Sequence, residues 1–465
     1  MALYLHTLAF MPPEADEIAR LCLQTYESLP QGGAKPQVRS NGRHEWTVLA
    51  GAVVHTNSSN PTVVALATGA KCTPYERLSP QGDVLHDCHA EVLVRRGVRA
   101  WLLERLIKEK KCSDSVIDHL PRVFVPVAWD LEVPVRWSLA PHVRLSWYIS
   151  MLPCGEASSS ALQIQHFLDD GHLRTSDTHT SRGVLRGRDM PYASSSACIL
   201  RSKPGRADAP PSISMSCSDK FMLWNAVGIQ GALLSRWLEP IYIDQVVLSW
   251  SPSLHMTQAE IQASCSWAFG ERIHRANHSR IMCTSITFPY TRESMKEYIS
   301  TTTGIRPSSP DWIHIEPVPC AASLLWIRGR PVEKLLGGIK MGASPKRKNG
   351  RPLPMSSCSS VCKRAWFTQY QRACQLLSPT VSLHESYYAQ KRASHDTYTA
   401  AYAAKKEALF GARHAESILT WFLDTQKDAH SSISQPPLAA PLSAWLQTPR
   451  ALQDFVVEEL SLIHI

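Results

Sequence analysis

The 465-residue sequence contains no run of about 18 apolar residues, so it offers no helix able to cross a bilayer. It also lacks a basic leader. Met1-Ala2-Leu3-Tyr4-Leu5-His6 soon meets Pro12-Pro13 and the acidic Glu14-Ala15-Asp16-Glu17, so no secretory signal is expected. No internal repeat is evident, and acidic residues are the scarcer charge: 40 Asp and Glu against 49 Lys and Arg, a formal net charge of +9. That excess favours a polyanionic partner, nucleic acid before a neutral small molecule. The 13 cysteines are an odd number in a long chain with no signal. They are expected to be reduced, with a few available for metal, in an intracellular protein of the cytoplasm or nucleus.

With 44% apolar residues the chain can bury a substantial core. A helix is expected near residues 14–28. Two β-rich runs, Trp46 to His55 and Thr62 to Thr68, flank the turn signal Asn57-Ser58-Ser59-Asn60-Pro61 and read as a hairpin. A helix from about His89 to Lys110 follows, then a strand from Leu145 to Met151 that ends at Pro153-Cys154-Gly155-Glu156. A second helix is expected over residues 161–168, and a third from Asp219 or Ser218 as N-cap to Leu238, leading to a strand from Ile241 to Trp250. The order β-β-α-β-α-α-β predicts an α/β three-layer sandwich with a mixed central sheet, elaborated by a C-terminal helical region. The whole chain, 1–465, reads as one domain. Residues 170–213, rich in Ser, Arg, Gly and Pro, form a long insertion, and loops are expected at 342–357 and 425–441.

Chemistry concentrates at His86-Asp87-Cys88-His89-Ala90-Glu91, where a long amphipathic helix opens. A histidine and a glutamate in this spacing can supply one zinc ligand and one proton shuttle, half of a zinc deaminase site. The pattern His-x-Glu occurs twice more, at His314/Glu316 and His414/Glu416. Pro317 disfavours a helix at the second, whose Trp312-Ile313-His314-Ile315 alternation reads as extended, and no Pro-Cys follows the third. Cys154 and Cys217 would complete the first set with two thiolates and leave a fourth tetrahedral position open, as in catalytic zinc sites. Taken singly, each cysteine is equally well a buried small hydrophobe or part of a helix-cap region. Arg96 lies seven residues after His89, on the same helical face, and Lys220 shares a face with Trp224 and Val227. Buried cations need an anion, and an Asp or Glu partner or a snorkelling side chain would serve as well as a bound one. The run Lys346-Arg347-Lys348-Asn349-Gly350-Arg351 reads as an RNA-contacting loop, a localisation patch or a solvated charge run.

The second cysteine does not follow in a Pro-Cys-x-x-Cys; position 157 is alanine, and Cys217 lies 63 residues beyond Cys154. This split resembles the deaminase domain of the ADAR family and its tRNA-specific relatives. The likeness is carried by residues 68–72, His86 to Arg96, Pro153-Cys154-Gly155-Glu156-Ala157-Ser158, and Ser214-Met215-Ser216-Cys217-Ser218-Asp219-Lys220 through Trp224-Asn225 to residues 228–235. The pattern starts near residue 13, leaving no room for a preceding double-stranded-RNA-binding domain, and residues 200–211 lack the Gly-Glu-Gly base-flipping loop. Both features favour the tRNA branch.

The resemblance implies a cytidine-deaminase-like fold with ADAR-type insertions. It implies zinc on His89, Cys154 and Cys217, and Glu91 as the proton-transferring catalytic residue. The implied reaction is hydrolytic deamination of adenosine to inosine in tRNA, at the adenosine just 3′ of the anticodon of alanine tRNA. It further implies enclosed inositol hexakisphosphate, held by Arg95, Arg96, Lys220, Trp224, Lys363, Tyr402, Lys406 and Trp445. The chain departs from the family at Leu223, a family arginine, at Ala232, a serine, and at His86, an asparagine. RNA contacts are expected from Lys71 and from Arg182, Arg186, Arg188, Lys203 and Arg206 in the insertion. No obligate protein partner and no membrane association are inferred. An ADAR-like editor of other structured RNA is one alternative. A catalytically silent RNA-binding module with structural zinc is another.

Overall fold

The computed structural model describes residues 14–457 apart from 57–58, 113, 115, 118, 128–135, 162–184, 187–198, 205–208, 274–276, 348, 381, 394–396, 411–441 and 443–444. The elements used below are, in chain order, α1 (Ala15–Ser28), β1 (Leu49–Thr56), β2 (Ser59–Thr68), α2 (Ala90–Lys111), β3 (Val143–Ile149), α3 (Cys217–Val227), β4 (Gln245–Ser249) and α4 (Gln258–Phe269). They continue with β5 (Arg280–Thr284), α5 (Arg292–Thr303), β6 (Ala322–Ile327), β7 (Glu333–Leu336), β8 (Ile339–Lys340), α6 (Lys363–Leu377), α7 (Tyr387–Arg392) and α8 (Thr397–Phe410).

One eight-stranded mixed sheet, in the order β5-β4-β3-β1-β2-β6-β7-β8, forms the middle layer. β3, β4 and β5 run parallel, whereas β1 pairs antiparallel with both β3 and β2. The apolar run of β1 is buried along its whole length because both sheet faces are covered. Leu49 and Val53 point to α1, packing with Ile18 and Cys22, while Ala50, Ala52 and Val54 join the core that includes Leu93 and Val94 of α2. The small side chains let α2 approach closely: a Cβ on Gly97 would lie 3.0 Å from the Cβ of Ala65. Burying an aliphatic side chain here is worth roughly 1.5–3 kcal/mol.

The expected hairpin, the long helix and the three-layer sandwich are all present. Three local readings differ. The helix beginning near residue 217 is capped by Ser216 rather than by Ser218 or Asp219, and it stops at Gly228, whose φ of 84° breaks the run toward Leu238. Trp312–Ile315 is a single helical turn, not an extended segment, and Pro317 follows its end. The expected helix over 161–168 falls almost wholly outside the described residues, as does the loop at 425–441; the described residues of 342–357 form turns and irregular chain. Helices α6, α7 and α8 supply the C-terminal helical region. Among the described residues no helix is long and apolar enough to cross a membrane.

Candidate active site

Three chain segments meet at one end of α2. His89 is its N-cap, Cys154 follows β3, and Cys217 is the first residue of α3. Gly155 makes the second junction possible. Its φ is 106°, in the region that favours glycine, and a Cβ there would sit 2.3 Å from the Ser216 Oγ. The Cys217 amide N–H points to the Cys154 sulfur at 3.4 Å, and the Ser218 N–H donates to the Cys154 carbonyl at 3.1 Å. Asp219, fully buried, fixes the start of α3. Its carboxylate accepts from the Ser216 hydroxyl at 2.6 Å, the Arg201 amide at 2.8 Å and the Arg272 guanidinium at 2.7 Å.

Asp87 organises the histidine. One carboxylate oxygen accepts from the His89 amide at 2.9 Å and pairs with Nδ1 at 2.8 Å, which leaves the other ring nitrogen to pair with the Cys154 sulfur. The other oxygen accepts from Lys203 Nζ at 3.0 Å and from Lys220 Nζ. Burial opposes ionisation of Asp87, yet the two lysines hold its carboxyl well below the usual range. Lys203 also donates to the Cys217 sulfur at 3.1 Å, and despite burial, Asp87 and the two thiols hold it firmly charged. A hydrogen bond from Cys217, with Lys203 and His89 nearby, pulls Cys154 well below an ordinary thiol. Glu91 is 2% exposed, its Oε2 has no hydrogen-bond partner, and burial together with Cys154 raises its pKa.

His89, Glu91 and Cys154 open into a cavity of about 620 Å³ that continues past Trp250 to α5. Beneath the site, on the far side of Asp87 and Lys220, cations gather with few carboxylates. Arg95 lies over the Trp224 ring at 5.2 Å with its Nε buried and unpartnered, and burial with Arg99 next to it pushes its pKa down to about 9. Arg99 stacks on Trp366 at 4.5 Å. Arg96 donates to the Val361 carbonyl at 2.8 Å, and Lys363 contacts His86 Nε2 at 3.3 Å, so the His86 departure places a ring where it meets a lysine. Lys406 sits over Tyr402 at 6.0 Å, and Trp445 meets Phe410 edge-on at 5.6 Å. Sequence reasoning missed Arg99 and Lys391. Arg99 stands four residues after Arg95, a spacing that puts both on one face; Lys391 carries no such mark. Burial and four cations, Lys406, Arg392, Arg99 and Arg95, push Lys391 down to about 7.

Lys203 stands apart from its expected role as an RNA phosphate contact. It is 3% exposed and buried against Asp87 and Cys217, because the Lys203 amide bonds to the Ser214 carbonyl at 2.7 Å and draws this part of the insertion under the site. Lys71 is exposed. Arg186 falls in a short strand, Leu185–Arg186, paired with Leu200–Arg201, and Arg182, Arg188 and Arg206 lie outside the described residues. Among the described residues no group of three or more His, Cys, Asp or Glu is placed so that it could hold a metal ion.

A three-layer α/β fold that brings an imidazole, a thiol and an orphan carboxylate to one cavity, with a second thiol packed behind them, defines a deaminase-like protein. Comparison with known proteins makes this specific: the adenosine-deaminase (editase) domain family matches residues 65–422, and the chain belongs to that family. The chain is 30% identical to the tRNA-specific adenosine deaminase 1 of Drosophila melanogaster over 352 residues, covering 72% of this chain and 77% of the relative. It is 38% identical to the Schizosaccharomyces pombe protein of the same name over 239 residues, 50% of this chain and 56% of the relative. It is also 32% identical over 242 residues to the double-stranded RNA-specific editase Adar of Drosophila melanogaster, covering 50% of this chain and 33% of that protein. The chain thus spans little more than half of the fission yeast relative.

Proposed function

We propose that this protein is a zinc-dependent deaminase that hydrolyses adenosine to inosine in tRNA, at the position 3′ of the anticodon of alanine tRNA. The observation that carries the chemistry is Glu91: a buried carboxylate whose Oε2 has no partner, beside the Cys154 sulfur and the His89 imidazole. A structural site has no use for such a group, since an unsatisfied buried carboxylate costs stability. The names of the relatives support the tRNA substrate.

The donor set fits zinc. Asp87 engages Nδ1 of His89, whose other ring nitrogen faces the Cys154 sulfur, and Cys154 and Cys217 supply soft sulfur, a three-ligand set of the open catalytic type. When bound there, zinc would supply a Lewis acid that makes water nucleophilic near neutral pH. Glu91 takes one proton from the attacking water at Oε2 and passes it to N1 of adenine as C6 becomes tetrahedral; it then carries the remaining proton of the C6 hydroxyl to the amino group, which leaves as ammonia. Its raised pKa suits a group that must hold a proton and release it. Water adds to C6 and ammonia leaves, so the atoms balance.

The lower cluster fits a polyanion. Arg95 retains an unpartnered buried Nε, and Lys391 and Lys363 are pushed down by burial and neighbouring cations. Inositol hexakisphosphate would neutralise this repulsion, with Arg95, Arg96, Lys363 and Lys406 as its ligands, joined by Arg99 and Lys391. Lys220 already pairs with Asp87 and would join the cluster to the metal ligands. Lys71 and the arginines of the insertion are our candidates for RNA phosphate contacts.

The test is incubation of purified protein with an alanine tRNA transcript, followed by sequencing for inosine, with a cytidine-containing control. Glu91→Ala should abolish inosine formation while zinc stays bound. Full activity in that variant removes the mechanism, and inosine in duplex RNA but not in tRNA replaces the substrate.

A further inference from the structure

The cavity that begins at Glu91 is longer than one base requires. Its wall follows α5 from Thr291 to Ser300, about 13 Å of helix at 1.5 Å per residue, against a stacking repeat of about 3.4 Å. Between the catalytic end and α5 the lining includes Trp250 and Trp46, and the α5 wall adds Arg292 and Lys296 next to Glu293 and Glu297.

Trp250 sits just past the end of β4. Its backbone amide donates to the Thr284 carbonyl at 2.8 Å, and its indole N–H donates to the Met256 carbonyl at 2.8 Å. The indole is therefore held in one orientation from both ends, and its one donor is spent. What remains for a ligand is the ring itself, which stacks on any base without reading hydrogen bonds. Trp46, at the edge of a two-residue strand paired with Val318–Pro319, is half-buried in the same cavity. Arg292 is anchored to Glu316 at 3.2 Å in a half-exposed ion pair, which keeps its charge at the α5 wall.

We infer that Trp250, with Trp46, forms a stacking subsite for the nucleotide adjoining the flipped adenosine, and that Arg292 and Lys296 meet the phosphate beside it. The inference rests on the proposed deamination of tRNA and adds to it a residue that sets sequence context. An enzyme acting on a flipped base selects context through its contacts with the flanking nucleotides. Trp250 is a positioning residue here: it touches the neighbour, not the reacting carbon. Because an indole face favours large rings, a purine on the 3′ side of the target, the side that the alanine anticodon leaves unfixed, should be preferred over a pyrimidine.

The experiment uses Trp250→Ala, Trp250→Phe and Lys296→Ala, each checked by thermal melting, on tRNA transcripts that carry either a purine or a pyrimidine beside the target adenosine. Trp250→Ala should raise KM about 5- to 100-fold, the usual scale of a lost base–aromatic stack, and should flatten the purine preference. Trp250→Phe should restore most of both. Lys296→Ala should weaken binding equally for both transcripts and lower its salt dependence. A second arm reads binding alone: with Glu91→Gln protein, 2-aminopurine beside the target should be quenched on binding, and less so when Trp250→Ala is added. Unchanged KM and unchanged context preference in a folded Trp250→Ala protein overturn the subsite. Absence of inosine with the unaltered protein instead defeats the tRNA reading, and the fluorescence arm still judges the stack.

Discussion

The Lys203 ammonium donates to the Cys217 sulfur at 3.1 Å while bonding the Asp87 carboxylate at 3.0 Å. One buried cation thus ties a proposed metal ligand to the carboxylate that orients another, His89. Removing one partner of a buried ion pair commonly costs 3–5 kcal/mol, about, because the other charge is left uncompensated. Lys203→Met should therefore lower the melting temperature and reduce zinc content, with activity falling at all tRNA concentrations. A raised KM with normal zinc content and stability would instead return Lys203 to a role in RNA contact.

Asp87→Asn tests the same network from its centre. The amide can still accept at one atom, but it no longer balances Lys203 and Lys220, and His89 loses its charged orienting partner. Loss of such a second-layer group typically costs about 10- to 100-fold in metal affinity or activity. Zinc titration against a competing chelator is the measurement; unchanged affinity would show that His89 is oriented by its helix alone.

How much of this was legible in the sequence depended on how local the cause was. The His89 to Glu91 motif rests on one helix start, and β1 and β2 on their apolar patterning, so both were readable. The two cysteines were readable through the split spacing and the resemblance it carries. In the sequence Asp87 is only one letter of a motif, because its role exists only when Lys203 and Lys220 arrive from segments more than a hundred residues away. Lys203 was placed on the surface because its surroundings in sequence are polar and irregular. Its burial is fixed by the Ser214 carbonyl and by a bridge between Ser202 and Met215, pairings no periodicity announces. The end of α3 was overrun because apolar residues continue past Gly228, whose φ of 84° outweighs them.

Gly155→Ala should be far more damaging than its size implies. The φ of 106° is unfavourable for any side chain, costing about 1–3 kcal/mol, and the added methyl would enter the Ser216 side chain that caps α3. Cys154 and Cys217 flank this contact. We expect a lower melting temperature together with reduced zinc content, measured by metal analysis of the purified protein. A stable, zinc-replete variant would mean that the junction can be rebuilt without glycine.

His55 gives an acid-side prediction away from the site. Its Nε2 pairs with the Ser146 hydroxyl at 2.8 Å inside the sheet, and burial with Arg144 nearby pushes its pKa down to about 4. A histidine with a depressed folded pKa binds fewer protons folded than unfolded between about pH 4 and its ordinary 6.5, so stability falls as pH drops through that window. The loss should approach roughly 2 kcal/mol at pH 4. Urea unfolding at pH 7 and pH 5 should show it, and His55→Gln should reduce the difference.

Lys391 sets the opposite window and reports on the polyanion. Its pKa is pushed down to about 7 by burial and by Lys406, Arg392, Arg99 and Arg95, while its ammonium reaches Gln453 at 2.9 Å and lies 5.8 Å from the Tyr387 ring centre. In protein stripped of anions the unfolded chain binds the extra proton from about pH 7 up to the ordinary lysine range, so stability should rise with pH across that window. Inositol hexakisphosphate would restore the charged form and flatten the slope. At a hundredfold excess over its Kd it should also raise the melting temperature, by roughly 3 °C. Melting curves from pH 7 to 9.5, with and without the compound, are the measurement. If added inositol hexakisphosphate changes neither the slope nor the midpoint, the cations beneath the active site have another counter-ion.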